Sequence, residues 1–258
     1  MRVVFIGAGN VATHLAQLID QTHDVVQVYS RHIQNAFALT NLLKQAAATD
    51  NLQEIFPNAD IYIVSVKDDV ISQIVNEINF TSGLWVHTSG SVSIDVLSAK
   101  FERCGVVYPL QTLSRNVDVN MSEVPFFIEG IDEDTEKLLV EVAKSLSETV
   151  YIANSLQRSK LHVAAVFGCN FVNYLWAQAD EILKTAGYNF EILLPLIKVT
   201  LDKAYKVSPI EGQTGPARRG DFRIMQFHEE MLSNDDAKLY RILSQGIMKK
   251  YNIDYEQD

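Results

Sequence analysis

Arg2-Val3-Val4-Phe5-Ile6-Gly7-Ala8-Gly9-Asn10-Val11-Ala12 is the stretch whose reading decides the fold. Val3 to Ile6 are β-branched or aromatic with no polar alternation, the pattern of a strand buried on both faces. Gly7 and Gly9 interrupt it, and apolar residues at helical spacing follow at Val11, Leu15, Leu18 and Ile19. Gly-x-Gly-x-x-Ala between a strand and a helix is the setting in which a nucleotide diphosphate is held. Gly7 permits the tight turn, and Gly9 lets the backbone approach the phosphates, whose charge meets free N–H groups at the helix start. Ala12 keeps the helix close to the sheet. The alternative is a glycine turn with a structural role alone.

Outward from this turn the chain alternates. Strands are expected over residues 24–29, 61–66, 84–87, 105–108, 126–128 and 149–152. Helices are expected over 33–46, 70–78, 94–101 and 134–146, the last capped by Asp132. A short strand or turn precedes Thr49 and Asp50. Strand–helix alternation at this spacing builds βαβ units and a mostly parallel sheet. Beyond about residue 154 the punctuation disappears. Apolar residues recur at helical periods from Leu161 to Ile182, with a kink expected near Gly168, and residues 190–207, 217–232 and 235–251 read as helices or mixtures of helix and turn. The expected fold is α/β, with an N-terminal Rossmann dinucleotide-binding domain (1–153) and a C-terminal all-helical domain for dimerisation and substrate (154–258).

The end of the second strand selects the cofactor. An NAD site usually carries an acidic residue about 20 residues past the glycines, accepting from the ribose 2′-hydroxyl. Tyr29-Ser30-Arg31-His32 stands there instead. A 2′-phosphate would find a hydroxyl in Ser30 and a guanidinium fork in Arg31, which favours NADP over NAD; the other reading is a solvated loop. Three more loops lie at the expected carboxyl edge of the sheet, where ligands bind: Val66-Lys67-Asp68-Asp69, His87-Thr88-Ser89-Gly90 and Tyr108-Pro109-Leu110-Gln111-Thr112. The cofactor residues expected are Gly7, Gly9, Asn10, Val11, Ser30, Arg31, Val66, Lys67, Thr88 and Ser89.

Composition narrows the class. The 258 residues carry a formal net charge of -10, with 47% hydrophobic and 21% charged residues. Such a chain suits a packed cytoplasmic protein and argues against bulk binding to nucleic acid or to an acidic membrane, while leaving room for a basic cofactor pocket. Cys104 and Cys169 have no metal or disulfide spacing, and each sits among apolar neighbours as a buried thiol would. No metal-ligand motif is present.

These loops, together with His162-Val-Ala-Ala-Val-Phe-Gly-Cys-Asn170 and Thr214-Gly215-Pro216-Ala217-Arg218-Arg219-Gly220-Asp221, make the chain resemble the Rossmann-like family that carries a DUF2520 helical domain. That family lies within the wider pyrroline-5-carboxylate reductase and 6-phosphogluconate dehydrogenase-like group. Its members commonly read His-Pro-Leu-Gln where this chain has Tyr108-Pro109-Leu110-Gln111. The resemblance covers nearly the whole chain. It implies a helical domain that forms a homodimer and closes the active site, and reduction of C=O or C=N bonds or the reverse.

In the helical half, Lys160, His162, Asn170 and Asn173 stand out from apolar surroundings as catalytic candidates. Lys160 or His162 would supply a proton as hydride reaches the substrate, and the two Asn would orient a carbonyl or carboxylate. The plain alternatives are a solvent-facing lysine, a satisfied histidine and asparagines tying helices together. Residues 214–221 either close over a substrate carboxylate or the cofactor phosphates, or form a turn whose charges face water or whose Arg–Asp pair fixes the helix packing. The function expected is an NADP(H)-dependent oxidoreductase acting on a C=O or C=N bond of a small polar or carboxylate-bearing substrate. The alternative is a non-catalytic NADP(H)-binding regulatory or interaction protein.

Overall fold

The computed structural model describes residues 1–115 and 117–254. They divide into two compact units, with the boundary between Phe171 and Val172.

The first unit is built on an eight-stranded sheet. Its strands are β1 (Arg2–Ile6), β2 (Asp24–Tyr29), β3 (Ala47–Thr49), β4 (Ile61–Val64), β5 (Leu84–His87), β6 (Cys104–Pro109), β7 (Phe126–Gly130) and β8 (Val150–Ile152), in the order β3-β2-β1-β4-β5-β6-β7-β8. All neighbours pair in parallel except β6 with β7, which are antiparallel. The chain reverses direction across the sheet between β1 and β4. That switch point opens a crevice beyond their carboxyl ends. Helices α1 (Asn10–Ile19), α2 (Ile33–Thr40), α3 (Asp68–Glu77), α4 (Asp95–Ser98) and α5 (Glu133–Lys144) connect the strands. The continuous apolar strands are explained by cover on both faces. Val3 and Phe5 pack into one core with Leu15, Ile63 and Leu139; Val4 and Ile6 pack into a second with Tyr62, Trp85 and Phe101. Asp132 caps α5, its carboxylate accepting from the Thr135 N–H at 2.7 Å.

Two local expectations are corrected. Helix α2 ends at Thr40 rather than near residue 46, because the Lys44 N–H is drawn onto the Asp20 carboxylate at 2.7 Å and its ammonium onto the Asp20 carbonyl. Cys169 is exposed rather than buried, whereas Cys104 is buried as expected. Cys169 lies in a π-helical turn, residues 166–170, between α6 (Ser155–Ala165) and α7 (Phe171–Thr185). The extra residue of that turn interrupts the long helix at Gly168, where the kink is expected.

Helix α6 belongs to the first unit and opens with a capping box. The Asn154 side chain accepts from the Gln157 N–H, and the Gln157 side chain accepts from the Asn154 N–H, both at 2.9 Å. The second unit contains most of α7, α8 (Leu194–Lys206), α9 (Pro216–Arg219), α10 (Phe222–Glu230) and α11 (Asn234–Lys250). Ala217, Met225 and Met248 form its small core. Within residues 214–221, Arg219 is ion-paired with Asp221 at 2.7 Å and the Arg218 guanidinium lies 4.3 Å from the centre of the Tyr251 ring. Gly220 closes α9 in the left-handed conformation.

Candidate functional site

The carboxyl ends of β1, β2, β4, β5 and β6 surround a cleft of about 670 Å³ within the first unit. Every cofactor residue expected from the sequence lines it: Gly7, Gly9, Asn10, Val11, Ser30, Arg31, Val66, Lys67, Thr88 and Ser89.

One end has the geometry of a phosphate cradle. Gly7 has φ +123°, and a Cβ there would lie 2.0 Å from the Ser65 carbonyl oxygen, so no other residue fits between β1 and β4. Gly9 precedes α1 with no side chain capping the helix start, which leaves backbone N–H groups free to meet an anion. A residue that the sequence did not single out, Arg115, also lines this end and donates to the Ala8 carbonyl. The segment carrying it is tied to α1 by Asn10, which donates to the Leu113 carbonyl at 3.0 Å. Beside the cradle, Arg31 is exposed at the end of β2, next to Ser30, and no acidic residue occupies the position that would take a ribose 2′-hydroxyl. This donor set fits the 2′-phosphate of NADP(H).

The opposite end is built by the loop after β5. Thr88 donates to the Ser65 hydroxyl at 3.1 Å, and the Ser89 hydroxyl accepts from the Ser91 and Val92 N–H groups at 3.0 Å each. His87 is completely buried; its Nδ1 accepts from the Ser89 N–H at 3.2 Å, while Nε2 has no hydrogen-bond partner among the described residues. Desolvation, reinforced by the Arg158 charge and opposed by the Ser93 backbone, lowers its pKa to about 3. His87 is therefore a neutral, structural ring.

Two further residues line this end. Tyr108 stands next to the end of β6, and its phenol oxygen lies 3.0 Å from His162 Nδ1 on α6. Burial, with the Asp68 charge adding to it and Arg158 opposing, pushes the Tyr108 pKa up to about 12. Of the four catalytic candidates, His162 is the one that lines the cleft. Lys160 and Asn170 are exposed and outside its lining, and Asn173 is exposed in the second unit.

Sequence reasoning gave no role to Tyr108 or Arg158. Tyr108 begins a segment already placed at the sheet edge, and the signal was a hydroxyl-bearing residue directly before a proline at the strand end. Arg158 carries no such signal, since an arginine on a helix is by default exposed.

Known proteins match the chain in two segments and as a whole. Residues 2–97 match the family described as NADP oxidoreductase, coenzyme F420-dependent, and residues 124–247 match the domain of unknown function DUF2520. A Bacteroides fragilis protein provisionally named an NADP oxidoreductase is 40% identical with a TM-score of 0.88, the match covering 96% of this chain and 98% of that one. The chain belongs to this family. It is an oxidoreductase of the NADP(H)-binding Rossmann type with a DUF2520 helical domain. A Thermotoga maritima protein at 22% identity and TM-score 0.79 (97% of this chain, 99% of that one) shares the fold. So does an imine reductase from Myxococcus stipitatus in complex with NADP+, at 15% identity and TM-score 0.66 (98% and 92%). No curated protein matches the chain. Among the described residues no helix is long and apolar enough to cross a membrane, and no cluster of His, Cys, Asp or Glu is arranged for a metal.

Proposed function

We propose that this oxidoreductase reduces a C=O or C=N bond of a small polar or carboxylate-bearing molecule at the Thr88–Ser89–Gly90 end of the cleft, with His162 in the proton path. One observation carries this reading. A single cleft runs from the phosphate cradle at Gly7 and Gly9 to a buried phenol hydrogen-bonded to an imidazole. Bound NADPH supplies a hydride to an electron-poor carbon. The protein must then give a proton to the atom that receives the electron pair, and His162, hydrogen-bonded to Tyr108 on the cleft wall, is placed on that path. The imine reductase among the fold relatives makes C=N a natural first substrate class.

The same reading includes a homodimer. Helices α7 and α8 bury none of their residues, although Phe171, Trp176, Ile182, Leu196 and Leu201 give them apolar faces. Helices of this length are marginal in water without packing. A second copy of the chain is the partner proposed to cover them.

The test is NADPH oxidation with a panel of cyclic imines, ketones and 2-oxo acids, with NADH as control and sedimentation of the same sample. NADPH-selective turnover by a dimer is the expected result. Tight NADPH binding without turnover of any panel member would overturn the reduction reading, and a monomer would overturn the assembly.

A further inference from the structure

The pair at the far end of the cleft is assembled from two distant parts of the chain, and residue 90 decides how closely they meet. A Cβ on Gly90 would lie 2.7 Å from Tyr108 Cζ and 2.9 Å from His162 Cβ and Cγ, closer than such atoms approach. The absence of a side chain there is what lets the β6 terminus and α6 touch. Helix α6 is anchored by Arg158, one turn before His162 and fully buried. Its guanidinium is ion-paired with Glu129 and donates to the carbonyls of Ser89, at 3.1 Å, and Val92. Glu129 in turn accepts from the Ser155 N–H at 2.9 Å. Both ends of the Ser89–Val92 loop are therefore pinned to the helix that carries His162.

Resting on the oxidoreductase reading above, we infer that Tyr108 is the catalytic acid that gives the substrate its proton, with His162 placed to return one to it. When the substrate C=O or C=N bond opens, its electron pair moves to oxygen or nitrogen. That atom takes the proton from Tyr108 Oη. The tyrosine oxygen takes the hydrogen from His162 Nδ1, and the imidazole gains a proton at Nε2 from water, so no ring anion forms. The groups acting on Tyr108 are His162 and Arg158 from α6, Asp68 from the start of α3, and the Phe127 ring of β7. A phenol with a pKa about 12 is protonated at every working pH, yet alone it is a reluctant donor. In the tautomer that carries its proton on Nδ1, His162 donates to the phenol oxygen 3.0 Å away and stabilises the oxyanion as it develops, which is why the pair and not the phenol alone suits the task.

The test compares full-length wild type with Tyr108→Phe and Tyr108→His. Three readouts are needed: NADPH affinity by calorimetry, the ¹⁵N NMR signals of the His162 ring, and turnover of the imine and ketone panel. Tyr108→Phe is expected to keep NADPH affinity within about twofold and to lose about 100-fold or more in kcat. Tyr108→His should recover turnover to within about tenfold of wild type, with activity now falling as pH rises through ~6.5, where its imidazolium is lost. The His162 Nδ1 signal should report a proton shared with oxygen in wild type and change in Tyr108→Phe, whether or not a substrate is turned over. Turnover of Tyr108→Phe within about threefold of wild type, or an unmoved His162 signal, would overturn the inference. Wild-type protein that binds NADPH but reduces nothing would instead sink the functional reading, and the NMR result would still decide the pair.

Discussion

Arg31 and Arg158 show how differently one residue type can be read. Arg31 follows a strand that follows a glycine turn, so its role is set by local order in the chain, and the structure puts it on the cleft wall beside Ser30. Its guanidinium would make charge-assisted hydrogen bonds to a 2′-phosphate, each worth about 1.5–3 kcal/mol, or roughly 10- to 100-fold in affinity. Arg31→Ala should therefore weaken NADPH by about that factor and leave NADH nearly unchanged, as measured by calorimetric titration with both. Equal weakening would remove the 2′-phosphate role. Arg158 has no local signature. Its meaning arises from Glu129, 29 residues earlier, and from two carbonyls of the Ser89–Val92 loop, about which the sequence is silent until β5, β7 and α6 meet. The lining of the cleft around Gly7 and Arg31 was legible because its residues follow strand ends, whereas the Tyr108–His162 end depends on long-range contacts. His162 was visible as a polar residue among apolar neighbours, but its partner Tyr108, 54 residues away, was not.

At the scale of elements, periodicity found the strands of the sheet except β3, where it allows a short strand or a turn, and misjudged the places where tertiary contacts override it. Helix α2 has apolar spacing that could continue past Thr40, yet Asp20 claims the Lys44 N–H and the helix stops. The long helix after residue 154 was readable as a kinked rod, since Gly168 was visible; that the irregularity is a π-helical turn follows from geometry that spacing does not encode. Its start matters more to the site than its middle. The reciprocal Asn154–Gln157 hydrogen bonds set where α6 begins, and Arg158 and His162 follow within its first turns. Asn154→Ala removes the side-chain acceptor for the Gln157 N–H and should cost about 1 kcal/mol in urea unfolding. Because the Arg158 ion pair remains, kcat should change much less than in Tyr108→Phe. A loss of stability well below half of that figure would mean that the buried ion pair alone holds the helix start.

For the whole molecule, the completely buried, neutral His87 couples global stability to acid. Its folded pKa is about 3, against an ordinary value near 6.5 for the unfolded chain. Between these limits the unfolded state binds a proton that the folded state refuses, so stability is full above about pH 6.5 and declines as pH falls through the window. The slope belonging to one such group is about 1.4 kcal/mol per pH unit. Carboxylates such as Asp132, whose capping bond to Thr135 holds its pKa below the usual range, also lose stabilisation at low pH, so the raw acid curve mixes several groups. A non-titrating replacement separates them. His87→Asn should lower stability at pH 7 by disturbing the loop after β5, and its unfolding free energy should decline less steeply than that of wild type between pH 6 and pH 4. Parallel curves for the two proteins would mean that His87 accepts a proton in the folded state, and that the Ser89–Val92 loop opens to let it do so.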